Sequence, residues 1–231
     1  MMILSMDTST MAACAAVADE NKLYGEFFTD FKLKHSEKLM TLIDDLLKRL
    51  HIGIDDIDCF AVGKGPGSFT GLRIGAGAVK GLAQPHNKPI IGVSSLKACA
   101  FAQPCAPGEL IVPIFDAQRS GLYTAVFTRE RGSFIEIDGD SVKSADKYFD
   151  DLAVLGKNCV FCGDGVMNYS GRIKEKLGER ARFADKAFMM PRASVIASLA
   201  MEMYKSGEYC GYNDFIPEYL RDADVQTGRQ N

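Results

Sequence analysis

The sequence has few histidines, no excess of positive charge and no long apolar run. Because 27 Lys and Arg face 30 Asp and Glu, the net charge is −3, and tight autonomous binding of nucleic acid is disfavoured. No apolar stretch approaches the roughly 18 residues that a membrane span needs, and no secretory signal opens the chain. We therefore expect a cytoplasmic protein that neither spans a membrane nor binds RNA by itself.

The cysteines form no metal or redox motif. They are seven, an odd number, and lie mostly within apolar segments, which indicates reduced core residues. Cys159 and Cys162 have the spacing of a zinc or redox motif, but residues i and i+3 of a strand face opposite sides. Since no second cysteine pair and no nearby histidine accompanies them, we predict no metal or redox role for this pair.

The three histidines also lack the spacing of a metal site. His35 is followed at i+4 by Leu39, and Glu37 lies off the same helix face. One imidazole does not hold a zinc or iron ion alone, and His51 and His86 are single and scattered. No Ser-His-Asp or Cys-His arrangement has a local signature. The sequence therefore predicts no metal ligand and no catalytic residue.

The chain reads as two similar halves. With 231 residues and 47% hydrophobic side chains, it can build one large domain or two lobes. Each half begins with three successive strands and continues with alternating helices and strands, and a proline-rich segment at 104–108 separates the halves. We predict an α/β fold with one lobe at residues 1–103, a second at 104–190, and a final helix and tail at 191–231 whose lobe the sequence leaves open. The predicted strands are 2–6, 11–17, 22–28, 59–62, 89–93, 110–115, 123–128, 133–137, 159–162 and a short one at Phe183. The predicted helices are 36–50, 70–84, 95–103, 143–152, 168–177 and 193–205. The tail, residues 212–231, is predicted to be only partly ordered.

A glycine-dense segment at residues 63–77 runs from a buried strand into a helix that Pro85 is expected to end. Glycine inside a helix costs about 1 kcal/mol relative to Ala, so the glycines of this helix need a compensating reason. Gly71 and Gly75 are spaced i, i+4, as are Gly77 and Gly81. Each pair leaves a strip of the helix surface without side chains. Either packing inside the chain or close approach of a second helix or ligand explains this strip.

The helix predicted at 36–50 is apolar on more than one side. Leu39, Ile43 and Leu46 form one stripe, and Leu42 and Leu47 widen it beyond what one buried face requires. Such a helix is either enclosed within the protein or covered by a partner.

The turn after the first strand has the composition of a phosphate-binding turn. Asp7, Thr8 and Ser9 offer hydroxyls and backbone N–H groups, although simple turn chemistry explains them as well. The equivalent turn of the second half, residues 116–119, has no glycine, and Lys64 precedes the glycines of its segment instead of following them. We assign nucleotide binding to the first turn. Gly163 and Gly165 beside Asp164 can approach an adenosine, and a strand-to-helix turn explains them equally well.

Five segments carry a family resemblance: residues 3–10, 35–37, 65–75 (GPGSFTGLRIG), 116–119 and 219–221 (YLR). In these segments, and over essentially its whole length, the chain resembles the TsaB family of bacterial tRNA threonylcarbamoyladenosine biosynthesis proteins, formerly grouped with the M22 glycoproteases. One departure is Gln118, where many members carry Arg. The resemblance implies the actin/hexokinase-like (ASKHA) fold, with two RNase H-like lobes that each hold a mixed five-stranded sheet and flanking helices.

The resemblance also implies partners. Members of the family pair through first-lobe helices with a catalytic TsaD subunit, an ATPase, TsaE, joins the pair, and the same face makes a homodimer when TsaD is absent. The complex places threonylcarbamoyl, supplied as an adenylate, on N6 of adenosine 37 in tRNAs that read ANN codons. By this resemblance the chain is a non-catalytic scaffold that requires no cofactor of its own, meets ATP or ADP only at the partner interface, and contacts tRNA only through the complex.

The resemblance also assigns a partner interface and leaves an alternative function open. The alternative is an ASKHA nucleotide hydrolase or a glycoprotease-like metallopeptidase. The expected partner interface consists of His35, Ser36, Leu39, Ile43, Leu46 and Leu47 on the first helix, and Gly67, Ser68, Phe69, Thr70, Gly71, Leu72, Arg73 and Gly75 at the start of the second.

Overall fold

The computed structural model describes residues 1–30 and 35–221, without the side chains of residues 35–38. Its first lobe is built on a mixed sheet in the order β3-β2-β1-β4-β5, in which β1 pairs antiparallel with β2 and parallel with β4. The strands of this sheet are β1 (Ile3–Asp7), β2 (Ala13–Ala18), β3 (Leu23–Thr29), β4 (Cys59–Gly65) and β5 (Ile90–Ser94).

The second lobe repeats this arrangement. Its strands run in the order β8-β7-β6-β9-β10, so the first strand of each lobe lies at the centre of its sheet. Two five-stranded mixed sheets of the same order confirm the predicted ASKHA fold of two RNase H-like lobes. The strands of the second sheet are β6 (Leu110–Asp116), β7 (Gly121–Glu130), β8 (Ser133–Ser144), β9 (Cys159–Cys162) and β10 (Ala181–Phe183).

Helices cover both faces of the first sheet, which is why β1 is buried along its whole length. Leu4 faces the core that α1 and α2 complete, whereas the neighbouring Ile3 faces the core under α6. The final helix, whose lobe the sequence left open, thus packs on the first sheet. The described residues form six α-helices: α1 (His35–Leu50), α2 (Phe69–His86), α3 (Ser95–Phe101), α4 (Ala145–Val154), α5 (Gly165–Leu177) and α6 (Ala193–Lys205).

The two lobes share a core at α3. Leu96 and Cys99 of this helix pack with Phe115, Phe127 and Cys162 of the second sheet. Cys159 and Cys162 both belong to β9, but Cys159 packs in the core on the other face of the second sheet. The predicted placement of the two cysteines on opposite faces is therefore confirmed. All seven cysteines are free thiols.

Several element boundaries differ from the sequence prediction, among them the end of α2 and the length of β8, and the tail is more ordered than predicted. Helix α2 continues through Pro85 and ends at His86, because a proline in the last turn removes only one helical hydrogen bond; the left-handed Asn87 then caps the helix. Strand β8 is longer than the predicted 133–137, since it pairs with β7 up to Ser144. The tail packs against the protein as far as residue 221, with Phe215 buried, and residues 222–231 lie outside the described part.

Across residues 1–30 and 35–221, no helix is both long and apolar enough to cross a membrane. Among the described side chains, those of residues 1–30 and 39–221, no three His, Cys, Asp or Glu are grouped so that they could hold a metal ion.

Candidate functional site

The polar groups of the turn that follows β1 are buried and hydrogen-bonded to other groups of the chain. Asp7, Thr8 and Ser9 are each about 1% exposed. The Asp7 carboxylate accepts hydrogen bonds from the backbone N–H and hydroxyl of Ser9, both at 2.8 Å, and from the Ser95 hydroxyl at 2.8 Å. The Thr8 hydroxyl donates to the carbonyl oxygen of Gly71 at 2.7 Å. Burial raises the pKa of Asp7, while the three donated hydrogen bonds oppose that shift.

The first turns of α2 lie directly against this turn, and glycine makes the contact possible. A Cβ on Gly71 would overlap the carbonyl oxygen of Thr8, and one on Gly67 would overlap the carbonyl oxygen of Ser9. A Cβ on Gly75 would stand 2.8 Å from the Thr8 hydroxyl oxygen. The residues predicted to bind a nucleotide are therefore buried and hydrogen-bonded within the chain. Their role here is to dock α2.

The second glycine pair of α2 has a different environment. Gly77 and Gly81 are exposed, and a Cβ on either would meet no atom within 4 Å. They form the floor of an open groove of about 460 Å³ between α1 and α2. Beside the groove Met40 is 45% exposed, and the Arg73 guanidinium lies 4.0 Å from the centre of the Phe69 ring. The groove is lined by Leu39, Met40, Arg73, Ile74, Gly77, Ala78, Gly81 and Leu82.

Several residues predicted to form the partner interface are buried in the chain. On α1, the apolar stripe that suggested a docking surface faces the sheet, so Leu39 and Ile43 pack in the core with side chains of β1 and β4. The buried ones are Leu39, Ile43, Gly71, Leu72 and Gly75.

The remaining interface predictions divide by exposure. Ser68, Thr70 and Arg73 are exposed, and Gly67 and Phe69 are half-buried. Leu46 and Leu47 pack partly buried against the first-lobe core, and the side chains of His35 and Ser36 lie outside the described residues. The prediction omitted the groove residues Met40, Ile74, Gly77, Ala78, Gly81 and Leu82. The i, i+4 spacing of Gly77 and Gly81 was the sequence signal for them.

The corresponding turn of the second lobe is also held by internal hydrogen bonds. The backbone N–H of Asp116 donates to the Asp164 carboxylate at 3.0 Å, and the Asn168 amide donates to the Asp116 carboxylate at 2.8 Å. A Cβ on Gly163 would overlap the Ile114 carbonyl oxygen, and one on Gly165 would stand 2.9 Å from that oxygen. The glycines beside Asp164, considered for an adenosine, therefore serve the packing of α5 on β6.

Two carboxyl groups near the lobe junction have strongly raised pKa values. Burial, with the nearby Asp116 carboxylate as a smaller cause, raises the pKa of Asp164 to about 6. Burial likewise raises the pKa of Asp140 to about 6, and this side chain accepts a hydrogen bond from the Ser94 hydroxyl of the first lobe at 2.6 Å. Both groups bind a proton more tightly in the folded chain than in the unfolded one.

We expect Asp164→Asn to stabilise the protein at pH 7.5 by on the order of 2 kcal/mol. A raised folded-state pKa makes the free energy of unfolding fall as the pH rises from about 4 to about 6. Asparagine removes the buried charge but keeps an oxygen that accepts from the Asp116 N–H. Urea unfolding at pH 4.5 and 7.5 measures the effect, with Asp151→Asn on the exposed face of α4 as control. A variant less stable than the parent at pH 7.5 would contradict this explanation.

Comparisons with known proteins agree with this architecture. Residues 29–229 match the family model TsaD, described as tRNA N6-adenosine threonylcarbamoyltransferase. The chain is 31% identical to the tRNA threonylcarbamoyladenosine biosynthesis protein TsaB of Bacillus subtilis, over 98% of this chain and 97% of that protein. It is 29% identical to TsaB of Escherichia coli, over 96% of this chain and 95% of that protein.

A solved structure agrees as well. YeaZ from Pseudomonas aeruginosa superimposes with a TM-score of 0.78 at 26% identity, covering 95% of this chain and 99% of that one. Since the fold and the sequence matches both span nearly the whole length, the chain belongs to the TsaB family of tRNA threonylcarbamoyladenosine biosynthesis proteins.

Proposed function

We propose that this chain takes part in threonylcarbamoyladenosine formation on tRNA as a non-catalytic partner subunit of a TsaD-like transferase. The observation that carries the proposal is the open groove between α1 and α2, floored by Gly77 and Gly81. The names of the relatives supply the pathway, and the cytoplasm, where tRNA is modified, is the proposed location.

The groove has the properties of a helix-docking surface. Gly77 and Gly81 carry no side chain, so the backbone of a partner helix can approach α2 closely. Met40 and Ile74 supply apolar contact area at its edges, and Arg73 supplies a planar donor for a carboxylate at the rim. A partner of similar fold is a suitable occupant, because the TsaD family model itself matches most of this chain.

The proposal divides the chemistry between the subunits. The TsaD-like subunit transfers threonylcarbamoyl to N6 of adenosine 37 in tRNAs reading ANN codons, and a TsaE-like ATPase joins the pair. This chain holds the transferase, needs no cofactor of its own, and meets ATP or ADP only at the shared interface. In isolation the same face pairs with a second copy, and tRNA is contacted only through the complex.

Nucleotide hydrolysis by this chain alone is the alternative that the resemblance leaves open. A phosphate turn has to offer free N–H groups and hydroxyls to the nucleotide. In this chain the hydroxyls of Thr8 and Ser9 donate to internal acceptors, and the first turns of α2 cover them. This placement favours the scaffold over the hydrolase.

The proposal is tested with purified subunits. Light scattering coupled to size exclusion is expected to show a self-pair of this chain that converts to a mixed pair when a TsaD-like subunit is added. Threonylcarbamoyladenosine formation on tRNA is expected to require both subunits, and ATP turnover by this chain alone is expected to stay at background. Absence of a mixed pair, or clear ATP turnover without a partner, would refute the proposal.

A further inference from the structure

Residues 211–221 form a strap that runs from the first lobe to the second. Phe215 anchors its beginning in the first-lobe core, where it is 4% exposed. Further along, the backbone N–H of Glu218 donates to the carbonyl oxygen of Lys64 at 2.7 Å, and the Glu218 carboxylate pairs with the Lys64 ammonium at 3.0 Å. The strap is thereby fixed to the glycine-dense segment that precedes α2.

The end of the strap contacts both lobes. The Tyr219 ring packs on the ring of Phe69, the first residue of α2, with centroids 4.9 Å apart. Two residues later the Arg221 guanidinium donates to the carbonyl oxygen of Ala117 in the second lobe at 2.6 Å. It lies so close over Gly121 that a Cβ at that glycine would displace it. Neighbouring residues of the strap thus contact α2 and the second-lobe turn.

The turn beneath Arg221 has an unfavourable backbone conformation. Gln118, Arg119 and Ser120 are three successive residues with left-handed φ angles of 59°, 50° and 59°. Side chains in this conformation crowd their own carbonyl groups, and runs of such residues are rare. The turn is closed by hydrogen bonds from Gly121 N–H to Gln118 and from Ala117 N–H to Gly121. The charged hydrogen bond from Arg221 adds a constraint from outside the turn.

We propose that the strap is an interlobe latch: Arg221 holds the left-handed turn, Tyr219 holds the first turn of α2, and the conformations of these two segments are therefore coupled. Arg221 is a positioning residue in this account. A change that loosens one end of the latch is transmitted to the other through two neighbouring side chains of one rigidly anchored segment. The latch is a property of the isolated chain, so its test does not depend on the proposed partner.

Two variants release the Arg221 end of the latch, one by changing Arg221 itself and the other by changing the glycine beneath it. Arg221→Ala removes the guanidinium, and Gly121→Ala displaces it without changing the strap; Gly121 has no left-handed φ, and the atom in its way is the mobile end of a side chain, so this variant is expected to fold. Tyr219→Ala releases the other end. Gly171→Ala, at an open position of α5, is the matched control.

Hydrogen exchange of the full chain, read on peptides covering 117–123 and 67–73, tests the coupling. We expect Gly121→Ala and Arg221→Ala to accelerate exchange about tenfold at 117–123 and measurably at 67–73, and Tyr219→Ala to accelerate exchange at 117–123. The control is expected to change neither peptide. Acceleration confined to the segment next to each substitution, or no acceleration at all, would overturn the latch.

Discussion

A Gly77→Leu variant is expected to bind a TsaD-like subunit at least about 100-fold more weakly than the parent chain, which corresponds to a loss of roughly 3 kcal/mol. The added side chain fills the groove between α1 and α2 and keeps a partner helix from approaching. Because a Cβ at this exposed position meets no atom within 4 Å, the isolated chain is expected to keep its fold. Titration calorimetry with the partner measures the affinity, and thermal unfolding of the variant alone checks the fold.

A matched control separates the groove from general surface effects. Gly171 of α5 is exposed and equally open, but it lies on the second lobe away from the groove. Gly171→Leu is therefore expected to leave the affinity unchanged within about a factor of two. Equal loss of affinity in both variants would show that the groove is not the docking surface.

The second large effect concerns stability and contrasts two glycines of one helix. Gly71→Ala is expected to lower the free energy of unfolding by about 3 kcal/mol or more, because its Cβ overlaps the Thr8 carbonyl oxygen and forces backbone movement. Gly77→Ala is expected to raise it by up to about 1 kcal/mol, since alanine favours the helix and its Cβ at this position meets no other atom.

Urea unfolding of the two alanine variants measures both changes under one condition. Their opposite signs are the essential result, because the substitution is chemically the same in each. If Gly71→Ala were as stable as the parent chain, the close packing of α2 on the turn after β1 would be wrong.

The sequence predicted the fold well because local patterns determine most of it. The helix at 36–50 differs from α1 by one residue, and the strand at 159–162 coincides with β9. Each half of the sequence has three strands followed by alternating helices and strands, and this repeat identified two lobes of the same topology. Residues 212–221 could not be predicted in the same way, since the contact of Arg221 with Ala117 joins segments far apart in sequence and depends on tertiary packing.

The candidate site was only half predictable, and the geometry of a helix explains why. Gly71 and Gly75 have the same spacing as Gly77 and Gly81, so periodicity alone does not distinguish the pairs. Six residues rotate the helix by about 240°, which places one pair against the turn after β1 and the other in the open groove. The side that faces inward is determined by the contact of Gly71 with Thr8, a tertiary interaction between distant segments.

For α1 as well, periodicity alone did not show which side of the helix faces inward. Leu39 and Ile43 form the more regular apolar stripe and were assigned to the interface, yet this stripe fills the core. Met40, the exposed neighbour of Leu39, borders the groove. The breadth of the stripe predicted only that α1 is enclosed within the protein or covered by a partner, and the sequence does not state which of its side chains are buried.

Photo-crosslinking from two exposed methionine positions tests the central claim most directly. Met40 borders the groove and is 45% exposed, whereas Met167 on α5 of the second lobe is 74% exposed. A photoreactive residue is placed at either position, and the chain is mixed with a TsaD-like subunit and irradiated. The proposed docking surface predicts a crosslinked pair from position 40 and none from position 167. A crosslink from position 167 with none from position 40 would contradict it.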